Sequence, residues 1–348
     1  MALVLLLALG LVLLGRMMGV DKRAQVMVLS VLFGAVLLFQ ATLPVGNTLK
    51  EATGGSLRNW LIFGCLVAIV LVYRAVLARL RARHLANEPP EEAVKQGSFS
   101  GAELDRYARH IVLREIGGPG QKKLSAAKVL VIGAGGLGAP VLQYLAAAGV
   151  GTIGVIDDDD VENSNLGRQV IHTDARIGMP KVFSAQEALT AQNPFVTIRP
   201  YHRRLTEEIA PELFAGYDLV LDGTDNFETR YLVNRVCVAS GTPLISAAIT
   251  QWEGQISLYH PASGGPCYQC VFPEAPDVAL VPSCAEAGVM GALPGVVGSM
   301  MAVEAIKWLA GAGESLSGRL LLYDALYSEN RVISTKIRPD CPICQKHG

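Results

Sequence analysis

Three apolar runs occupy most of the first eighty residues, and the pattern then changes. The runs cover residues 2–14, 26–43 and 60–77, and the last is interrupted only by small residues and by Tyr73 and Arg74. A hydrocarbon core of about 30 Å needs roughly 20 apolar residues in a helix. The second and third runs therefore predict transmembrane helices, and the shorter first run predicts a third. No basic leader or small-residue cleavage site precedes residue 20, which argues against a signal peptide. Residues 88–96 ("EPPEEAVKQ") are polar, with two prolines, and read as a linker. The expected organisation is a membrane region over 1–85, a linker over 86–100 and a water-soluble domain over 101–348.

In that domain, short β-branched runs alternate with helical stretches. Residues 128–132 predict a strand, 139–148 a helix whose Pro140 suits the first turn, and 152–156 a second strand. Gly133, Gly135 and Gly138 between them fit G-x-G-x-x-G, with Gly136 as a further glycine. Such a turn lets a phosphate or ribose approach backbone N–H groups at a helix N-terminus. Asp157 ends the second strand, where a carboxylate commonly takes ribose hydroxyls. A third apolar strand, 219–221, runs into "DGTDNFETRYLVN". Asp222 and Asp225 both stand where an open parallel sheet presents its ligand crevice, and either suits a magnesium ion shared with phosphate oxygens. Alternatively, Thr224 or Asp225 caps the helix containing residues 229–237.

Composition sharpens this division. About half of the chain is hydrophobic (51%). The net charge of −1 conceals an excess of basic residues before residue 90 and of acidic ones after it. Arg16, Lys22 and Arg23 lie between the first two runs, and Arg74, Arg79, Arg81 and Arg83 close the third. The positive-inside rule then places the N-terminus outside and everything after Arg83 in the cytoplasm, as in a multi-pass protein of the inner membrane. No basic stripe with interleaved aromatics is present, so no nucleic-acid partner is expected.

A glycine turn and Asp157 alone fit an NAD-dependent oxidoreductase as well as an ATP-dependent enzyme. The residues that follow favour ATP. Asn163, Asn165 and Arg168 come within a dozen residues of Asp157, with Lys181 soon after in "GMPK", and two cations there suit a polyphosphate. Cys267 and Cys270 form one C-x-x-C pair, Cys341 and Cys344 another. In a reducing compartment two such pairs favour a tetrahedral zinc that staples the C-terminal tail over a redox dithiol. Cys284 sits in a loop-like stretch, "VPSCAEAGVMG", as a candidate nucleophile or persulfide carrier.

Taken in order, "RYARHIVL", "GAGGLG", "DDDDVENSNLGRQ", "GMPK", "DGTDN", "EGQIS", "CYQC", "SCAEAGVMG" and "CPIC" resemble the ThiF/MoeB/HesA family, bacterial relatives of ubiquitin-activating enzymes, over about residues 104–344. The molybdopterin-synthase adenylyltransferase branch is the nearest likeness. The resemblance implies an α/β, Rossmann-like nucleotide-binding fold with a mixed sheet and a zinc-stapled C-terminal part. It implies ATP-dependent adenylylation of the C-terminal glycine of a small ubiquitin-like sulfur carrier, MoaD- or ThiS-like, for molybdopterin or thiamine-type cofactor synthesis. By the same likeness Gly136 lies against the nucleotide, Asp157 binds ribose, and Asn165, Arg168 and Lys181 surround the phosphates. Asp225 is then the carboxylate tied to magnesium, with Asn226 beside it. Arg109 matches an arginine that family homodimers insert into the neighbouring site, and Cys284 a crossover-loop cysteine. Cys267, Cys270, Cys341 and Cys344 match the zinc ligands, and a separate cysteine desulfurase or sulfurtransferase is expected to supply sulfur. Membrane helices depart from the basic family pattern and leave a tethered, non-catalytic scaffold as a further alternative.

Overall fold

A computed structural model describes residues 2–18, 22–44, 46–54, 56–87, 99–275 and 287–345. Two compact units emerge, Met1–Ala93 and Val94–Gly348.

The first unit is helical: α1 (Ala2–Met17), α2 (Lys22–Thr42), a single-turn-and-a-half α3 (Thr48–Thr53) and α4 (Leu57–Asn87). Helices α2 and α4 meet through Phe33, whose ring packs 6.1 Å from Trp60 and 6.4 Å from Phe63, centroid to centroid. Their connection is tied by polar groups. Gln40 Nε2 donates to Lys50 O and Thr53 Oγ1, and Trp60 Nε1 donates to Gly54 O. Helix α4 runs ten residues beyond the third apolar run. Ala, Leu and Arg are strong helix formers, and no Gly or Pro interrupts them before Pro89. Among the described residues, Thr48–Arg74 is long and apolar enough to cross a membrane, by length and composition; Leu6–Gly15 and Met27–Thr42 are apolar but shorter.

The second unit opens with α5 (Gly101–Ile111), closed at its N-terminus by a capping box between Ser100 and Glu103. After α6 (Gly117–Ala126) come β1 (Lys128–Ile132), α7 (Gly138–Ala147) and β2 (Thr152–Asp157), matching the expected strand–helix–strand unit. Helix α8 (Lys181–Gln192), β3 (Thr197–His202), α9 (Ala210–Phe214), β4 (Leu219–Asp222), α10 (Phe227–Ser240) and β5 (Leu244–Thr250) follow. The chain then reverses into β6 (Glu253–Tyr259), passes a one-turn α11 (Tyr268–Val271) and α12 (Leu293–Ala310), and ends in the hairpin β7 (Arg319–Asp324) and β8 (Glu329–Ser334). The eight strands form one sheet in the order β3-β2-β1-β4-β5-β6-β7-β8. The first five are parallel and the last three antiparallel, which is the mixed sheet expected.

Each face of the sheet carries a core. Leu137, Leu142, Leu145, Val182, Leu189, Val297 and Met301 cover one face, from α7, α8, α12 and the turn before α7. Phe214, Leu232, Val233, Tyr259 and Tyr268 cover the other. Helix α12 is as apolar as a membrane span, but half of it is buried in this unit. Its apolar character reflects the core rather than lipid.

Between β1 and β4 the strand order reverses direction. This switch point fixes the site, because ligands of open α/β sheets bind beyond the strand ends where the connections diverge. Gly133 there has φ +91°, and a Cβ on Gly138 would lie 1.9 Å from Gly133 O. Glycine at both positions lets α7 start directly against the turn.

Candidate active site

A cleft of about 1340 Å³ opens at this switch point. It brings together Gly133, Gly135, Gly136, Asp157, Asn165, Arg168, Lys181, Asp225 and Asn226, nine of the residues singled out from sequence. The segment from 158 to 181 folds back over the strand ends, so that Asn165, Arg168 and Lys181 face the glycine turn although they lie far from it in sequence.

Asp157 shapes that turn. Its Oδ2 accepts the Ala134 N–H at 2.7 Å and its Oδ1 accepts the Asp159 N–H at 2.9 Å. Burial pushes its pKa up, while the charge of Lys181 and the two N–H groups pull it down. On the other side of the same residue, Ala134 O accepts from His172 Nε2 at 3.0 Å. Since a carbonyl only accepts, Nε2 carries hydrogen, and in the neutral ring Nδ1 takes the Ser184 hydroxyl at 2.8 Å. Burial lowers the His172 pKa, favouring that neutral form.

Lys181 is buried, and its Nζ pairs with Asp159 Oδ2 at 2.6 Å. Any phosphate must share it with that carboxylate. Neither Thr224 nor Asp225 caps α10. Asn226 does, accepting the Thr229 N–H at 2.9 Å, because the Thr224 hydroxyl is taken by Asp222. Asp222, one of the two acids considered for magnesium, is fully buried and turned away from the cleft into hydrogen bonds with Thr224 and Ser246. Asp225 is exposed, lines the cleft, and has no hydrogen bond or ion pair among the described residues. Free carboxylate oxygens facing a polar cleft are the hard donors magnesium takes.

Arg109 does not line the cleft of its own chain. It is exposed near the end of α5, without an ion pair among the described residues. Cys284 falls in 276–286, outside the described residues. Sequence reading missed Asp159, His172 and Arg230, and gave Thr224 only a capping role. The only local signal was the acidic run holding Asp159.

The four remaining candidates form their own cluster. Cys267, Cys270, Cys341 and Cys344 are buried, with Sγ–Sγ distances of 3.7 Å (267–270), 3.6 Å (267–341) and 3.4 Å (270–344). A tetrahedral zinc with 2.3 Å bonds spaces its sulfurs about 3.8 Å apart, so this cage fits such an ion. Burial pushes the Cys267 thiol up to about 12 and Cys344 higher still. Cys341 is drawn down to about 7 against burial by the N–H groups of Cys344 and Ile343. A cation binding here displaces thiol protons.

Comparison with known proteins gives the family. The ThiF family model matches residues 107–343. A sulfur carrier protein adenylyltransferase of Thermus thermophilus is 53% identical over 70% of this chain and 91% of its own length. The SAMP-activating enzyme E1 of Haloferax volcanii is 49% identical over 72% of this chain and 92% of its own. The adenylyltransferase and sulfurtransferase MOCS3 of Bos taurus is 51% identical over 72% of this chain, which spans 55% of that longer protein. Among solved structures, E. coli MccB with AMPCPP and MccA superposes with a TM-score of 0.61 at 24% identity, over 69% of this chain and 74% of its own, a likeness of fold. With the family model covering most of the chain and relatives near half identity, this protein belongs to the ThiF family.

Proposed function

We propose that the protein is an adenylyltransferase that activates the C-terminal carboxylate of a small ubiquitin-like sulfur carrier with ATP. The observation that carries this reading is the convergence of Arg168, Lys181 and Asp225 on the glycine turn at the switch point. An NAD-dependent oxidoreductase would leave the two cations and Asp225 without a task.

The chemistry follows from charge. A carboxylate oxygen of the carrier attacks the α-phosphorus of ATP, the bond to the β-phosphate oxygen breaks, and pyrophosphate leaves with that electron pair. No general base is needed, because the acid is already ionised. The product is an acyl-adenylate from which AMP departs readily when sulfur attacks. Gly133, Gly135 and Gly136 let the nucleotide approach the backbone, and Asp157 takes ribose hydroxyls. Asn165, Arg168 and Lys181 stabilise the negative charge gathering at the α-phosphate. Asp225 and Asn226 border the place of a magnesium ion, which when bound neutralises phosphate charge. Carriers of the MoaD or ThiS type, serving molybdopterin or thiamine synthesis, fit this reading, with sulfur from a separate desulfurase or sulfurtransferase. ATP–pyrophosphate exchange tests it. The full-length protein with magnesium and a Gly-Gly-ending carrier should exchange label, and NADH should not compete; no exchange with metal-replete protein would refute it.

Arg109 is read as completing the site of a second copy, since it is exposed and stands outside its own cleft. Mixed Arg109→Ala and Asp225→Asn chains should then regain exchange that neither variant shows alone. Mixtures as inactive as the separate variants would contradict the homodimer. The four cysteines are read as a zinc site. The N-terminal helices are read as a multi-pass anchor in the inner membrane with the second unit in the cytoplasm. Supporting this, Leu6, Leu9, Leu61, Ile62, Ile69 and Val72 lie exposed on α1 and α4. Detergent, but not alkaline carbonate, should release the protein from membranes; release by carbonate would refute the anchor.

A further inference from the structure

The loop between β4 and α10 holds its free carboxylate by immobilising the residues around it. Every polar group of Thr224 is engaged. Its N–H and hydroxyl donate to Asp222 Oδ1 at 3.0 and 2.7 Å, and its carbonyl accepts from Arg230 Nη2. Asp222 Oδ2 accepts the Ser246 hydroxyl at 3.2 Å from β5, directly opposite in the sheet register. On the far side, Asn226 is fixed by its cap on Thr229. Asp225 lies between these anchors with its carboxylate free. Asp222 is 0% exposed and Arg230 6%. For stability alone, a charge buried so deeply is a poor choice against an apolar residue of similar size, which points to what it holds.

We propose that Asp222, Thr224 and Arg230 are positioning residues that set the Asp225 carboxylate for a divalent cation shared with the nucleotide phosphates. The proposal rests on the reading of Asp225 given above. Asp222 stands outside the cleft, Thr224 and Arg230 line it, and all three act on Asp225 through the loop backbone. Losing one anchor lets the carboxylate swing and weakens nucleotide binding only when the cation is present.

Calorimetric ATP binding to the full-length protein, with magnesium and with EDTA, separates the outcomes. Thr224→Val keeps the shape and removes one hydrogen bond to a charged acceptor. It should weaken binding in magnesium about tenfold, leave binding in EDTA unchanged, lower the melting temperature by no more than a few degrees, and be rescued by Thr224→Ser. Asp222→Asn should act in the same direction. Equal weakening with and without magnesium, no weakening at all, or failure of the serine variant to rescue would each overturn the clamp. Asp225→Asn is the control. If it keeps the full magnesium-dependent gain, the reading of Asp225 fails and the clamp with it. If it loses that gain while Thr224→Val does not, only the clamp is rejected.

Discussion

Arg168→Ala should lower carrier-dependent pyrophosphate exchange at least about a hundredfold, the scale of losing one preorganised charge at a transition state. Stability should stay within about 0.5 kcal/mol, as for a surface substitution. The structure makes this residue the cleaner of the two cations to test. Arg168 is half-buried and only donates locally, to Ser164 O at 3.0 Å and Asn165 Oδ1 at 3.5 Å. Both acceptors belong to its own turn, so truncation leaves no distant group unpaired. Lys181→Ala would combine several effects. It removes a buried side chain, frees Asp159, and takes away the charge that partly offsets the rise burial imposes on the Asp157 pKa. Exchange rates together with thermal melts check the prediction. A variant that melts like the wild type and exchanges like it would show that Arg168 does not meet the phosphates.

Cys270→Ser should have the largest effect on stability. Elemental analysis should find one zinc per wild-type chain and almost none in the variant. The cost should be at least about 3 kcal/mol: structural zinc in small fingers contributes more than that, and this unit has a core of its own. The effect is directional. Cys341 and Cys344 lie at the end of the described chain, and the cage joins them to Cys267 and Cys270 across more than seventy residues. Without the ion, proteolysis should begin beyond β8, whose residues are all exposed. The change should also reach the cleft, because Tyr268, between the first two cysteines, lines it, with its N–H held by Asn234 Oδ1 at 2.9 Å. Acidification should release the metal, since ligation needs thiolates and protons compete for them. Metal-free wild-type protein with an unchanged melting temperature would contradict the zinc reading.

What could be read from the sequence was local. The strand–helix–strand unit around Gly133 could be read because its hydrophobic runs, its turn and Asp157 lie within thirty residues. Two C-x-x-C pairs announce four thiols wherever the chain takes them. Other features depend on long-range contacts. The Lys181–Asp159 pair needs the backbone to double back over 22 residues. The cap of α10 looked open to Thr224 or Asp225, and went to Asn226 because a buried Asp222 had already claimed the threonine. The antiparallel part of the sheet was implied only by the family resemblance: β5–β6 and β7–β8 are local hairpins, but β6 and β7 pair across sequence that includes α12. An apolar helix such as α12 has the same composition as a membrane span, and only burial distinguishes it.

The central claim is that this cleft joins a carrier's terminal carboxylate to adenylate. Intact-mass analysis of a Gly-Gly-ending carrier, incubated with the full-length protein, ATP and magnesium without any sulfur donor, tests it most directly. The carrier should gain one AMP as pyrophosphate appears in equal amount, and both should form at least about a hundredfold more slowly with Arg168→Ala. ATP consumed to AMP and pyrophosphate with the carrier's mass unchanged, even on rapid quenching, would contradict the account.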